Sequence, residues 1–309
     1  MADGVAATNE DATACKRFAV DKGYWDDPFI ASLSRPAQRK SPEISRGYYA
    51  RIKAIETLVL RFLSRAGRAE AQIISLGAGF DTLYWRLCAN EREPRLYVEI
   101  DVPSVARRKQ AYCQSKANLG SVLRGSVSVD ALGLHSSGYH LVGVDITDVE
   151  TLEKVVASLE ISRELPTLIL AECVLVYLEP ARSRRLIAWA GQYFSVTSIF
   201  INYGPVNVCD RFGRVMVENL RMRRAAFLGA DDCTDLEKQR EVFVECGWEE
   251  SRSVDMLEVY GTLPQEDVQR IERLEFLDER ELLEQLLQHY SVSWAIRDVT
   301  KIGLSEIQI

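Results

Sequence analysis

Apolar residues along this chain follow two spacings, one typical of buried strands and the other of amphipathic helices. Short apolar runs predict five strands, at residues 73–76, 95–100, 139–144, 166–171 and 198–202. Most segments between these runs have helical spacing, as at residues 149–159. Strands that alternate with helices form βαβ units, so the sequence predicts an α/β fold with a doubly wound, mostly parallel sheet covered by helices on both faces.

Helices are also predicted outside this alternation. Residues 41–62 carry apolar side chains along one stripe, and Ser41 is placed to cap a helix there. The pattern predicts a helix over 208–228, inserted after the fifth strand, and another over 234–246. A helix pair near 265–288 separates two late strands, and we expect these strands to complete the sheet as an antiparallel hairpin.

The chain is expected to form one main domain with helical additions. Residues 1–15 are mostly small and acidic, and we predict that they form a disordered tail. A single domain is predicted over 16–309, with an N-terminal helical segment at 16–65 and a helical insertion at about 206–232. The stretch 102–138 has helical spacing over only part of its length, so we expect a helix followed by a loop.

Composition and charge disfavour several classes of protein. The net charge of −7 disfavours nucleic-acid binding, which depends on neutralising phosphates. No apolar run approaches the roughly 18 residues that span a membrane, and the N-terminus lacks a secretory pattern. Seven cysteines without a CxxC pair and only three histidines argue against a metal site and a disulfide framework. We therefore expect a cytoplasmic protein with reduced thiols and no metal, and nothing in the sequence demands more than a monomer.

Glycines or acids stand where the first four predicted strands end. Two glycines, Gly77 and Gly79, follow the first strand, and the next three strands end at Asp101, Asp145 and Glu172. In open parallel sheets the ligand binds beyond the carboxyl ends of the strands. Asp101 follows the glycines at close to the spacing of about 20 residues at which an acid accepts hydrogen bonds from a ribose. The four strand ends together predict an adenosine-containing ligand.

The choice of nucleotide depends on the turn after the first strand. A dinucleotide fingerprint has a third glycine where this chain has Thr82, which weakens the pyrophosphate interpretation. S-adenosylmethionine needs no diphosphate cradle. It has a ribose for Asp101, an adenine amine for Asp145 and an ammonium for Glu172 or the Gly77 carbonyl. A nicotinamide-dependent oxidoreductase and a non-catalytic binding module that keeps the pocket remain as alternatives. A single acid at a strand end is more often a helix cap or a solvated charge than a ribose ligand, so the prediction depends on the four strand ends together.

Several segments carry a resemblance to a known family. Quoted as they stand, these are "CKRFAVDKGYWDDPF", "SPEISRGYYAR", "IISLGAGFDT", "LPTLILAECVLVYL", "FINY" and "LEFLDERELLEQLLQHY". They resemble the leucine carboxyl methyltransferase family, which methylates the C-terminal leucine carboxylate of the protein phosphatase 2A catalytic subunit. The resemblance implies a class I, Rossmann-like methyltransferase fold with an inserted lid, and a methyl ester product that regulates assembly of the phosphatase holoenzyme.

The resemblance also implies which residues contact S-adenosylmethionine. These are Lys16, Arg51, Gly77, Asp101, Asp145, Ile146 and Glu172. Three of them are the acids that the strand ends indicate independently, whereas Lys16 and Arg51 are implied by the resemblance alone. Two features depart from the family's pattern. Ile146 stands where leucine is more usual, and the acidic or amide residues expected directly after "NY" at 202–203 are missing, which leaves substrate contacts near 204–207 open.

A carboxylate substrate needs little chemical help from the protein. An α-carboxyl group has a pKa near 3.5 and is already an anion at pH 7, so no general base is required and no catalytic side chain is assigned. Proximity and desolvation are expected to dominate. Tyr177, Tyr203 and the inserted helix are candidates to line the substrate pocket, although core packing explains the tyrosines equally well. Arginines crowd the insertion and form either a solvated face or a contact for an acidic partner surface, at positions 211, 214, 221, 223 and 224.

Overall fold

A single mixed sheet organises the molecule. The computed structural model describes residues 2–36, 38–222 and 225–309, and within them the sheet has nine strands in the order β3-β4-β5-β2-β1-β6-β7-β9-β8. The strands are β1 Gln72–Leu76, β2 Leu96–Asp101, β3 Arg124–Val129, β4 Gly133–Ser137, β5 Tyr139–Gly143, β6 Thr167–Glu172, β7 Thr197–Pro205, β8 Glu250–Asp255 and β9 Tyr290–Asp298.

The centre of the sheet is parallel and doubly wound, as predicted. Strands β5, β2, β1, β6 and β7 pair in parallel, and they are the five strands expected from the apolar runs. Successive strands run outward in one direction from β1 to β2 and in the other from β1 to β6, so the strand order reverses beside β1. The late strands β8 and β9 pair antiparallel, and β9 pairs antiparallel with β7, which confirms the expected hairpin.

The stretch 102–138 differs from the prediction of a helix followed by a loop. It begins with two helices, α5 at Pro103–Ser115 and α6 at Ala117–Gly120, but β3 and β4 then extend the sheet as an antiparallel edge. All six residues of β3 are exposed. A strand with both faces in solvent has no apolar run to identify it, which is why this one was missed.

Three helices precede the sheet, namely α1 Ala2–Asp21, α2 Ile30–Leu33 and α3 Pro42–Ala66. The predicted disordered tail over 1–15 is therefore wrong for residues 2–15, which lie in α1, while Met1 lies outside the described residues. Helix α1 packs on α3, with Cys15, Phe18 and Ala19 buried at 9% exposure or less. Most of this apolar surface lies near the end of the helix, so the small and acidic composition at its start concealed it. Ser41 precedes α3, but its side chain makes no capping hydrogen bond.

The remaining helices cover both faces of the sheet. They are α4 Leu83–Ala89, α7 Val149–Ser158, α8 Pro180–Tyr193, α9 Arg211–Met222, α10 Leu236–Glu245, α11 Met256–Thr262, α12 Gln265–Glu272 and α13 Arg280–Gln288, with short 3-10 turns at Leu175–Tyr177, Ala230–Cys233 and Leu304–Glu306. Neighbouring strand residues point to opposite faces: Ile73 packs in one buried cluster with α3 and α4, whereas Ile74 packs in a second with α7 and α8. Among the described residues, no helix is long and apolar enough to cross a membrane.

Candidate functional site

One large cavity lies at the carboxyl ends of the parallel strands. Its volume is about 1030 Å³, near the upper limit for a pocket that holds one small ligand. All nine residues that the sequence put forward line it: Lys16, Arg51, Gly77, Asp101, Asp145, Ile146, Glu172, Tyr177 and Tyr203. They come from three helical segments and from the ends of β1, β2, β5, β6 and β7, and only the fold brings them together.

The turn after β1 depends on its two glycines. Gly77 and Gly79 both have positive φ, +62° and +52°, and residues with a Cβ rarely adopt this backbone conformation. A Cβ on Gly77 would lie 2.6 Å from Cγ2 of Val174, and a Cβ on Gly79 would collide with the side chain of Asn9. The backbone of this turn is therefore open to the cavity, and side chains at these two positions would fill that space.

Glu172, at the end of β6, balances two buried cations. Its Oε1 lies 2.8 Å from Nζ of Lys16 and 2.5 Å from Nε of Arg51, and Lys16 also lies 2.7 Å from Oδ2 of Asp81. Burial raises the pKa of Glu172, but the charges of Arg51 and Lys16 outweigh this effect and hold the pKa at about 2. Because Lys16 and Arg51 come from α1 and α3, the ion pairs join the N-terminal helices to the centre of the sheet.

The Arg51 guanidinium lies between aromatic rings. Its Cζ is 4.5 Å from the ring centroid of Tyr203 and 5.3 Å from that of Tyr48. Arg51 is only 8% exposed, so these contacts and the ion pair with Glu172 compensate for the water that it has lost. A planar guanidinium held in this way offers a fork that fits a carboxylate.

Asp101 and Asp145, at the ends of the next two parallel strands, differ in their environments. Asp101 accepts hydrogen bonds from the backbone N–H groups of Gly79 at 2.6 Å and Val102 at 2.7 Å. Burial raises its pKa above the ordinary aspartate value, although these hydrogen bonds oppose the shift. Asp145 is exposed, and its Oδ1 accepts from the backbone and hydroxyl of Thr147 at 2.9 and 2.8 Å. A carboxylate has about four acceptor positions, so each acid keeps acceptor capacity toward the cavity.

Tyrosines and the inserted helix form the apolar side of the cavity. Tyr203 stacks on Tyr290, with ring centroids 5.6 Å apart and planes 8° apart, and Tyr177 makes an edge contact with Phe227. Helix α9 contributes one face to the cavity wall through Phe212, Val215, Met216, Asn219 and Leu220. The sequence put this helix forward as a candidate lining of the substrate pocket, and it does line this cavity, but which of its residues face inward was not predicted. The apolar residues of α9 recur at helical spacing, although the helix does not pack on a strand of the sheet. In the sequence, this apolar stripe was the signal that one face of the helix lines the cavity.

The charged face of α9 points into solvent. Arg211, Arg214 and Arg221 are exposed, whereas Arg223 and Arg224 lie outside the described residues. The cavity lining does not include residues 204–207, where the sequence left substrate contacts open. Asn207 instead adopts φ +56° and donates a hydrogen bond to the carbonyl of Gln288, at 2.8 Å. This residue shapes the backbone that leads into α9.

Cavity residues outside the sequence-based set include Asn9, Tyr48, Asp81 and Tyr290. Asn9 accepts a hydrogen bond from the backbone N–H of Phe80 at 2.9 Å, so α1 covers the glycine turn directly. Cys173 also lines the cavity, and burial raises the pKa of its thiol, which keeps it protonated at neutral pH and disfavours a nucleophilic role.

Comparisons with known proteins give one consistent result. A family model described as leucine carboxyl methyltransferase matches residues 4–191. Leucine carboxyl methyltransferase 1 of Bos taurus is 46% identical over 311 residues, which cover 99% of this chain and 93% of that protein. The human tRNA wybutosine-synthesizing protein 4 is 38% identical over 97% of this chain but only 45% of its own length. A solved structure of a candidate methyltransferase from Thermobifida fusca matches with a TM-score of 0.53 at 14% identity, covering 87% of this chain and 93% of that one, and it supports the fold alone.

Proposed function

Because this chain belongs to the leucine carboxyl methyltransferase family, we propose that it methylates the C-terminal leucine α-carboxylate of the protein phosphatase 2A catalytic subunit. Membership of the family makes the chain an S-adenosylmethionine-dependent methyltransferase, so the nicotinamide oxidoreductase alternative falls away. The phosphatase substrate, and regulation of phosphatase assembly by the methyl ester, are parts of the proposal. We also propose that the protein acts as a monomer in the cytoplasm.

The observation that carries the proposal is the charge arrangement in the cavity. S-adenosylmethionine, when bound, supplies an electrophilic methyl group on a sulfonium. The residues fit its polar parts: Glu172 is an ionised acceptor for the ammonium, and the Arg51 fork and the Lys16 ammonium suit the methionine carboxylate. We propose that Asp101, which lies beside the glycine turn, binds the ribose and that Asp145 with Ile146 contacts the adenine; the lining of the cavity by all three residues supports this. The turn suits a close approach because no Cβ fills it.

The apolar side of the same cavity suits the end of a peptide chain. The volume of about 1030 Å³ lies at the upper end of the range for pockets that hold one small ligand, which is compatible with a donor and the end of a peptide together. Tyr177, Tyr203 and residues of α9 line this cavity together with the acids. An apolar wall excludes water from an incoming leucine and its carboxylate. Holding the carboxylate against the methyl carbon in this way can account for roughly 7 to 11 kcal/mol of the barrier without a general base.

Methyl transfer to purified phosphatase tests the proposal. We expect labelled S-adenosylmethionine to transfer label to the intact catalytic subunit, and mass spectrometry to place a base-labile methyl ester on its terminal leucine. The matched control is the same subunit without that leucine, which is expected to stay unlabelled. Label on the truncated subunit would contradict the proposed acceptor. A protein that binds S-adenosylhomocysteine but transfers no label would instead be a non-catalytic module.

A further inference from the structure

A buried ion pair lies directly behind the glycine turn. Lys109 of α5 and Glu99 of β2 both have fully buried side chains, and Nζ of Lys109 lies 2.6 Å from Oε2 of Glu99. The hydroxyl of Tyr139 donates to the same oxygen at 2.8 Å. Neither member of the pair lines the cavity, so neither is placed to touch a ligand there.

Stability alone does not explain this pair. Removing two charges from water is costly, and replacing a buried ion pair by apolar residues of similar volume is often neutral or stabilising. Lys109 also lies 5.0 Å from the ring centroid of Trp85, within a largely apolar environment that an aliphatic side chain would suit. The charge therefore calls for a role beyond packing.

The second contact of the Lys109 ammonium supplies that role. Its Nζ donates to the backbone carbonyl of Asp81 at 2.7 Å. The carboxylate of the same Asp81 lies 2.7 Å from Lys16, which in turn lies 2.8 Å from Glu172. The Lys109 ammonium thus holds the backbone of Asp81. The side chain of Asp81 in turn orients Lys16, which contacts Glu172 in the candidate cofactor site.

The turn is held from a second side by a buried acid. Asp27 has a 4% exposed side chain and accepts a hydrogen bond from the hydroxyl of Thr82, at 2.5 Å. Asp81 and Thr82 are therefore fixed separately, Asp81 through its carbonyl by Lys109 and Thr82 through its hydroxyl by Asp27. Loss of the Lys109 contact would leave Thr82 anchored and remove the hydrogen bond that ties the Asp81 carbonyl to α5. Asp81 would then be held by local contacts, in which its N–H donates to the Ala78 carbonyl and its Oδ1 accepts from the Leu83 N–H.

We propose that Lys109, neutralised by Glu99, is a positioning residue that fixes the backbone at Asp81 and thereby sets the Lys16–Glu172 contact for S-adenosylmethionine. This inference rests on the proposed cofactor site. It does not depend on which carboxylate receives the methyl group.

The test separates cofactor affinity from stability. In the double variant Glu99→Gln with Lys109→Met, both charges are removed, while the glutamine carbonyl still accepts from Tyr139. We expect this variant to melt close to the wild-type temperature but to bind S-adenosylhomocysteine about tenfold more weakly in calorimetry, because the site is less preorganised in the free protein and must be ordered on binding. Lys109→Met alone, which leaves Glu99 buried without its cation, is expected to lose both affinity and thermal stability.

The matched control is Gln239→Met. Gln239 is buried at 5% exposure, accepts hydrogen bonds from Ser291 and Ser293, and lies outside the cavity lining. Its replacement is expected to lower the melting temperature without changing the affinity for S-adenosylhomocysteine. A purely structural role for Lys109 predicts the same behaviour for both sites.

Three outcomes overturn the inference, and a fourth concerns the proposed substrate alone. Wild-type affinity in a folded double variant would show that the pair does not position the site, and a double variant that is unfolded at 10 °C would assign the pair to folding. Wild-type protein that does not bind S-adenosylhomocysteine would overturn the cofactor site and this inference together. Binding without methylation of phosphatase would contradict the proposed substrate and leave this inference intact.

Discussion

Replacing Glu172 with glutamine removes the anion that balances Lys16 and Arg51. Lys16 keeps its contact with Asp81 at 2.7 Å, but Arg51 loses the ion-pair partner 2.5 Å from its Nε. Breaking a buried ion pair from one side costs about 3 to 5 kcal/mol, because the remaining charge stays buried. The pKa of about 2 for Glu172, against about 4.3 in an unfolded chain, corresponds to about 3 kcal/mol. We therefore expect Glu172→Gln to lower the free energy of unfolding by about 3 kcal/mol at pH 7.

The same pKa predicts how this difference depends on pH. The folded pKa of Glu172 is depressed, so the stabilisation is fully present above the unfolded pKa of about 4.3 and is lost as the pH falls toward about 2. At pH 3 the wild-type advantage over Glu172→Gln should therefore shrink to about half of its value at pH 7.

Urea unfolding of both proteins at pH 7 and pH 3, without cofactor, measures the effect. Glu245→Gln is the matched control, because Glu245 pairs with Arg184 at an exposed site and its loss should leave stability near that of the wild type. Equal midpoints for wild type and Glu172→Gln at pH 7 would refute the reasoning. So would a difference between them that does not change with pH.

Three further predictions concern the cofactor site. Asp101→Ala should weaken binding of S-adenosylhomocysteine by about 1 to 3 kcal/mol in calorimetry, and unchanged affinity would remove Asp101 from the site. Gly77→Ala should lower the free energy of unfolding by about 1 to 3 kcal/mol and remove most of the affinity for S-adenosylhomocysteine, because its Cβ would lie 2.6 Å from Val174 and its backbone has positive φ. A fully active Gly77→Ala protein would contradict this geometry. Deletion of residues 2–15 should weaken binding of S-adenosylhomocysteine by about tenfold, because it removes the part of α1 that covers the glycine turn. An affinity equal to that of the wild type would show that this part of the helix is dispensable for binding.

The strand-end acids could be predicted from the sequence because a parallel sheet brings its carboxyl ends to one edge. Asp101, Asp145 and Glu172 each follow a buried apolar run, and the runs alone indicated that the acids would meet. Lys16 and Arg51 carry no such signal. They lie on helices that precede the sheet, and only the packing of α1 and α3 brings them to Glu172, so the resemblance to a family was needed to find them.

The parts of the fold that were missed share a physical cause. Sequence periodicity reveals elements that bury a face, whereas β3 is exposed on both faces and α1 places its buried residues near its end. Lys109 was missed for the opposite reason. From the sequence, a lysine in a helix of mixed composition is expected to be exposed to solvent. Lys109 is buried because α5 packs on β2 and β5. Interactions between elements that are distant in sequence decide such positions.

A crystal structure of the protein with bound S-adenosylhomocysteine would show which residues hold the cofactor. We expect the ribose within hydrogen-bond distance of Asp101, the ammonium against Glu172, and the sulfur facing the space between Tyr177, Tyr203 and α9. A ligand seated elsewhere, or one whose sulfur points away from that apolar space, would contradict this expectation.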